Sequence, residues 1–255
     1  MNHAERMHKN LPYKSWLDGL KEAREENKKK IFEYNNLPPE RWNECEKILR
    51  TIIGKAGKNI YIEAPFHCDY GSNIEVGDNF YANYNLVILD VGKVTIGDNA
   101  MLAPNVAIFT AGHPIHHEPR NIGYEYGIDI TIGDNVWIGG NTCILPGVHI
   151  GNNVVIGAGS VVSKDIPDDV VAVGNPCKVV RRITDEDKHY YYKNLKFDVD
   201  DYLEKWYKEI LYKAVQDFLY FYYFFINILK DQRLVLSSAL NSSSWLSSAK
   251  FSILL

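Results

Sequence analysis

An aliphatic residue recurs every six positions, without a gap, at Ile132, Ile138, Ile144, Ile150, Ile156 and Val162. Upstream the same spacing gives Val76, Ala82 and Ile88, then Ile96, Leu102 and Ile108, the two runs being offset by a two-residue insertion near Gly92-Lys93. Small or apolar residues recur four places on, at Val136, Thr142, Val148, Val154, Ser160 and Ile166. Glycine follows the aliphatic residue in Val76-Gly77, Ile96-Gly97, Ile132-Gly133, Ile138-Gly139, Ile150-Gly151 and Ile156-Gly157. A helix repeats every ~3.6 residues, and the strands of a β-sandwich are separated by turn signals roughly 8–12 residues apart. Neither holds a strict six. A very short strand with its branched residue turned inward, followed by a tight turn supported by Gly, Asn or Asp, does. Three such units close one coil of a parallel β-helix, so Ile132 to Ile150 spans one turn of a solenoid.

The flanks follow other rules. Tyr13 to Asn35 carries Trp16, Leu17, Leu20, Ala23, Ile31 and Phe32 among charged residues at helical spacing, and Pro38-Pro39 stops it. A second helix is expected from Pro39 or Glu40 to about Ile53, with Trp42, Cys45, Ile48, Leu49 and Ile52 on one face and Gly54 and Gly57 at its end. With 46% hydrophobic residues the chain is not disordered, and a net charge of −4 lacks the basic footprint of a nucleic-acid binder. The four cysteines form no CxxC pair, which argues against a disulfide framework or a structural zinc site and for a reducing, cytoplasmic setting. The first residues contain no apolar core of a signal peptide, so none is expected.

Several segments in this order resemble the galactoside/maltose O-acetyltransferase branch of the hexapeptide-repeat acyltransferases. They are Asp69-Tyr70-Gly71-Ser72-Asn73-Ile74, Phe80-Tyr81-Ala82-Asn83, Gly112-His113-Pro114 with Arg120, Val136-Trp137-Ile138-Gly139-Gly140, Gly157-Ala158-Gly159-Ser160-Val161-Val162 and Gly174-Asn175-Pro176. The resemblance runs from about Tyr13 to Phe197. It implies a mainly β, left-handed parallel β-helix with an N-terminal α-helical segment, assembled as a homotrimer with active sites between subunits; an α-helical C-terminal extension is expected from the residues that follow. The expected division is an acceptor-side helical segment at 1–57, the β-helix at 58–183 with an extruded loop at 112–129, a C-terminal segment at 184–213, and a tail at 214–255.

The extruded loop, where Gly112 to Gly127 breaks the six-residue pattern, is where a solenoid is expected to carry chemistry. A sugar hydroxyl needs a base to attack a thioester, and a neutral imidazole serves. His113 matches the family's catalytic histidine, the alternative being a loop cap; His116 and His117 read as loop packing. Glu125 either orients His113 or contacts the acceptor, and Asn83, Tyr81, Asp69 and Arg24 match the acceptor side. For acetyl-CoA, the resemblance implies an oxyanion amide at Gly140 and contacts from Trp137, Ala158, Ser163, Lys164, Lys178 and Arg181, the basic three facing phosphates. Trp137 also reads as an interface aromatic. Lys178 stands where the family carries arginine. The galactoside enzymes have aspartate where this chain has Ser15 (with Asp18 one helical turn on) and Val91, and methionine at Glu125, so the acceptor leans toward a maltose-type or other sugar.

Other acceptors in the same reaction class are an amino sugar, serine or a xenobiotic alcohol. A γ-carbonic-anhydrase-like zinc site drawn from His67, His113, His116, His117 and His149, or a β-helix without catalysis, are the competing readings. No metal is expected. After Phe197, Asp200 to Lys213 is expected to be helical, followed by the aromatic run Phe218 to Ile226, which is shorter than the ~20 apolar residues of a membrane span. A serine-rich stretch from Leu236 to Leu255 reads as disordered.

Overall fold

The computed structural model describes residues 1–205 and, beyond them, 207, 208, 211, 212, 215, 216, 219, 220 and 223. Most of the aromatic run from Phe218 and the whole serine-rich stretch therefore lie outside the described residues. The chain divides into two compact units, Met1–Thr184 and Asp185–Leu255.

The first unit is a left-handed parallel β-helix capped by helices. Its three faces come in chain order. Face 1 stacks Lys55–Ala56, Ile74–Val76, Val94–Ile96, Ile130–Ile132 and His149–Ile150; face 2 stacks Tyr61–Ile62, Tyr81–Ala82, Met101–Leu102, Trp137–Ile138, Val155–Ile156 and Val170–Val173; face 3 stacks Phe66–Cys68, Leu86–Leu89, Ala107–Phe109, Cys143–Ile144 and Val161–Val162. All these neighbours pair in parallel, so each aliphatic position lies directly over its counterpart, as Ile138 does over Leu102 and under Ile156. The inward column is almost wholly dry, with Ile62, Ala82, Leu102, Ile138, Ile156 and Ala172 buried along face 2 alone. Each buried Leu, Ile or Val contributes roughly 1.5–3 kcal/mol relative to exposure. The strict six reflects one inward residue per face per coil.

The turn from face 1 to face 2 shows what fixes the coil. Asn59, Asn79, Asn99, Asn135 and Asn153 are all left-handed, with φ between 54° and 58°, a region asparagine enters more readily than other side-chain-bearing residues. Each Nδ2 donates to the Oδ1 of its counterpart in the next coil at 2.9–3.0 Å, ending on Asp169. The steps along this ladder are 20, 20, 36, 18 and 16 residues. The early coils are thus longer than the later ones, as the two-residue offset in the sequence requires, and the step of 36 contains the extruded loop. The glycine after the aliphatic residue has a different task from the bend. At Gly133 a Cβ would lie 2.5 Å from Asn152 Oδ1 and 2.8 Å from the Gly151 carbonyl carbon, so only glycine lets successive coils approach.

The first helix expected from the hydrophobic pattern begins later than that pattern predicts. Helix α1 is a single short element, His3–Met7, and α2 runs Leu20–Asn35 rather than from Tyr13. Asp18 and Gly19 are left-handed (φ 56° and 82°), which breaks the helix between Trp16 and Leu20. Consequently Asp18 is not one helical turn from Ser15; its carboxylate accepts the His3 N–H instead. Helix α3, Trp42–Ile52, follows a 3-10 turn at Pro39–Arg41, as the sequence predicts. It and α2 bury Ile31, Tyr34, Cys45, Leu49 and Ile52 in the same core as the first coils, closing the open end of the solenoid. The other end is covered by Lys178–Arg182, which turns back antiparallel against Val170–Val173.

In the second unit a 3-10 turn, Asp185–His189, leads to the hairpin Tyr190–Tyr192/Leu195–Lys196. Phe197 packs on Tyr191 and Tyr202 with ring centroids 5.8 and 4.6 Å away, and the Tyr202 hydroxyl donates to Lys188 O at 2.7 Å. The chain is helical from residue 200 to 205. No helix among the described residues is long and apolar enough to cross a membrane.

Candidate active site

The sequence-predicted site residues fall at two edges of the prism. One edge, the turn from face 3 to face 1, carries Asp69, the His113 loop, Ser163 and Lys164. The other, face 2 and its turn into face 3, carries Tyr81, Asn83, Trp137, Gly140 and Ala158. The full width of face 3 lies between these edges, so one chain does not bring His113 together with Asn83 or Gly140.

At the first edge, the loop leaves the solenoid after Phe109 and is pinched at its neck by antiparallel pairing of Ala111–Gly112 with Tyr126–Gly127. Within it His113 is exposed, and its Nδ1 stands 3.4 Å from Tyr124 O. A carbonyl only accepts, so this neighbour favours the tautomer with hydrogen on Nδ1 and leaves Nε2 with its lone pair. Among the described residues the contact of the ring is to the backbone of Tyr124 and not to the Glu125 carboxylate. Arg120 closes the loop tip by donating to Pro114 O and Ile115 O at 3.2 and 3.0 Å. His116 and His117 are exposed and make their contacts within the loop: they stack on each other at 4.6 Å, and His116 Nδ1 accepts the Glu118 N–H at 3.3 Å at the start of α4, His117–Asn121. His67 lies on face 3 and His149 on face 1, and among the described residues no group of three or more His, Cys, Asp or Glu is arranged to hold a metal ion.

Behind the loop is a polar cluster that sequence reasoning recognised only in part. Arg24, on α2, donates to Ser15 O at 3.0 Å and lies over the Tyr70 ring at 5.8 Å. Its positive charge opposes the effect of burial on Asp69, whose carboxyl is nonetheless held above its ordinary range by burial first, with Glu125 adding to the rise. Burial pushes the Tyr70 phenol up to about 12. Asp90 is fully buried; its Oδ1 accepts the N–H groups of Asp69 and Tyr70 at 2.9 and 3.0 Å, and burial raises its carboxyl to about 6. One coil on, the same corner uses the neutral hydroxyl of Thr110, which accepts from Gly92 N–H and donates to Leu89 O at 2.8 and 2.6 Å. Val91, the position of an aspartate in the galactoside enzymes, is buried in an apolar cluster with Met7, Tyr13, Leu20 and Tyr70. Of Tyr13, Tyr70 and Asp90, the sequence singles out only Tyr70, within the Asp69-Tyr70-Gly71-Ser72-Asn73-Ile74 segment.

At the second edge successive coils approach closely at glycine. A Cβ on Gly139 would lie 2.5 Å from Ala158 N, and one on Gly140 would lie 3.1 Å from Pro104 O. Gly139 and Asn141 donate to Ile156 O and Pro104 O at 2.8 and 3.0 Å, whereas the Gly140 N–H has no backbone acceptor among the described residues. Such an amide is available to a developing oxyanion. Beside it on face 2 stands Trp137, 54% exposed, so it is not a core residue of the single chain. Tyr81 stacks on Tyr61 at 5.9 Å, and Asn83 Oδ1 accepts the Tyr84 N–H at 2.8 Å, leaving its Nδ2 to donate elsewhere. Lys178 and Arg181 lie on the exposed terminal strand, presenting positive charge at the far end of this face. A ligand with a thioester at the glycine edge and phosphates at that strand fits the donors present.

Known proteins match this arrangement. Residues 129–164 match the bacterial transferase hexapeptide family (six repeats), and residues 6–57 match the maltose acetyltransferase hexapeptide capping motif. A galactoside O-acetyltransferase of Escherichia coli K12 is 48% identical over 194 residues, covering 76% of this chain and 96% of its own. The solved structure of a galactoside acetyltransferase in complex with coenzyme A superposes with a TM-score of 0.76 at 47% identity, over 78% of this chain and all of the other. A maltose O-acetyltransferase from Clostridium difficile 630 gives a TM-score of 0.72 at 52% identity, over 72% of this chain and 99% of its own.

Proposed function

The chain belongs to the galactoside/maltose O-acetyltransferase family, and from that premise we propose how its residues divide the work of transferring an acetyl group to a sugar. It is an acetyl-CoA-dependent sugar O-acetyltransferase. Acetyl-CoA supplies the acyl group as a thioester; everything else in the reaction falls to the protein. In our reading transfer is direct, in a ternary complex. His113 Nε2 takes the proton of the acceptor hydroxyl as its oxygen bonds to the acyl carbon, and returns it to the departing sulfur as the C–S bond breaks. The Gly140 amide donates to the carbonyl oxygen as charge gathers there. Lys178, Arg181 and Lys164 hold phosphates, while Trp137, Ala158 and Ser163 line the path of the pantetheine arm. Asp69, Arg24 and Glu125 hold the acceptor from the His113 side, with Asn83 and Tyr81 reaching it from the other.

The active unit is a homotrimer in this proposal. Its support is the separation of the two edges: His113 and Gly140 act on the same carbonyl only if a neighbouring chain lays its glycine edge against this chain's loop. The exposed Trp137 and Met101, side by side on face 2, are apolar surface for such an interface. The acceptor is a maltose-type or other sugar, because Ser15, Val91 and Glu125 depart from the galactoside pattern, and because Val91 is occupied with apolar packing. A cytoplasmic setting, where acetyl-CoA is made available, belongs to the same proposal.

The observation that carries this reading is the His113 ring, exposed on a pinned loop with Nδ1 turned to the Tyr124 carbonyl. The test is thiol release from acetyl-CoA with a panel of glucose, maltose, galactosides, amino sugars and serine, comparing wild type with His113→Ala. Loss of release by about 10²–10⁴-fold with an unchanged melting temperature is expected; equal release by both proteins with every acceptor overturns the assignment.

A further inference from the structure

The segment Tyr13–Trp16 does not belong to a helix, and it is not idle linker. Tyr13 donates its N–H to Glu125 O at 2.9 Å and accepts the Glu125 N–H at 3.0 Å, an isolated antiparallel bridge between the N-terminal cap and the catalytic loop. Lys14 Nζ stands over the Tyr124 ring at 5.1 Å. Trp16 lies against Gly123, where any side chain would collide with its ring. Three successive loop residues, 123 to 125, are thus held by three residues of the cap. The side chains of the bridged pair continue the contact. Tyr13 is wholly buried, and its hydroxyl and Glu125 Oε1 are both cut off from solvent with no hydrogen bond of normal geometry to any other group. The Tyr13 phenol is raised by burial first and by the Glu125 carboxylate next, with Tyr70, whose hydroxyl is likewise buried without a partner in the same cluster, adding to the rise. A buried hydroxyl and a buried carboxylate oxygen are costly to leave unpaired, and a hydrogen bond between the two satisfies both. Oε2 of the same carboxylate does not share this burial.

We infer that Tyr13 is a positioning residue for the acceptor: it anchors Glu125 by its backbone and by its phenol, so that the second carboxylate oxygen faces the sugar at the rim shared with His113. The inference rests on the acceptor-binding role proposed above for Glu125. It assigns the N-terminal cap a task in catalysis, since withdrawing the strap would release the loop that carries both the base and the acceptor ligand.

Two measurements on the intact full-length protein test this. In a denaturation cycle of wild type, Tyr13→Phe, Glu125→Gln and the double variant, a paired phenol and carboxylate give non-additive changes in midpoint; additive changes overturn the pairing. In kinetics, Tyr13→Phe is expected to raise the KM for the sugar about five- to tenfold with the KM for acetyl-CoA unchanged, and to have no further effect in the Glu125→Gln background. An acceptor KM unmoved by Tyr13→Phe, or raised equally with that for acetyl-CoA, overturns the positioning role. If wild type acetylates no sugar at all, the functional reading fails, and the positioning of a sugar fails with it, while the denaturation cycle still decides the pair.

Discussion

Asp90, fully buried, accepts the backbone N–H of Asp69 at 2.9 Å and so fixes, from one coil, the corner that carries Asp69 in the coil before it. The same oxygen, Oδ1, also accepts the Tyr70 N–H at 3.0 Å, so two successive amides converge on it. This couples a core group to the site without exposing it.

That grip depends on pH. Burial raises Asp90 from 3.8 to about 6. Below the lower value the carboxyl is neutral in both folded and unfolded chains and costs nothing. As pH rises toward 6 the unfolded chain releases its proton first, so the folded state loses stability, by about 3 kcal/mol once both are ionised. Asp90→Asn keeps an acceptor for the two amides and does not titrate. Urea unfolding at a fixed protein concentration is expected to show the variant gaining on wild type between pH 4 and 7; a gap that stays constant rules out titration of Asp90 in that window.

The corner ladder predicts a graded response. Asn135→Ala removes a side chain that bonds both neighbouring coils and forces alanine to φ 57°. About 2–4 kcal/mol of destabilisation is expected, whereas Asn135→Gly relieves the backbone strain and should cost about 1 kcal/mol less. Equal melting temperatures for the two variants would show that the backbone conformation contributes nothing.

Acetyl-CoA binding should follow charge on the terminal strand. Lys178→Glu with Arg181→Glu is expected to raise the acetyl-CoA KM tenfold or more, with a salt dependence weaker than wild type and an unchanged acceptor KM. Lys178→Arg should lower that KM if a phosphate takes two donors there. Initial rates over a range of both substrates separate these outcomes.

The E. coli relative aligns over 76% of this chain and 96% of itself, and the family resemblance in the sequence fades near Phe197. Truncation after Lys213 is therefore expected to preserve sugar acetylation and the oligomer; loss of either, by assay or by light scattering, would assign the tail a structural role.

Much of the fold is legible in the sequence because a solenoid is built locally: the inward residue, the glycine and the left-handed asparagine recur in every coil, so Ile138 or Asn135 announces its place by spacing. The start of α2 is not, because Trp16 and Leu17 fit a helical pattern that Asp18 and Gly19 interrupt by backbone conformation alone. In the site, His113 is visible because its loop breaks the period. Tyr13 and Asp90 act through contacts across 112 and 20 residues of chain, and no local pattern registers such a contact.

The asparagine ladder also has a direction. Each rung gives its amide hydrogens to the coil ahead and lends its oxygen to the coil behind, until Asp169, whose carboxylate can receive but has nothing to pass on. An asparagine there would offer a donor to whatever came next; aspartate signs off. With Lys178–Arg182 folded back over the final strand of face 2, the stack of coils ends in a charged border rather than an open invitation, and a fold that by its geometry has no reason to stop is given one.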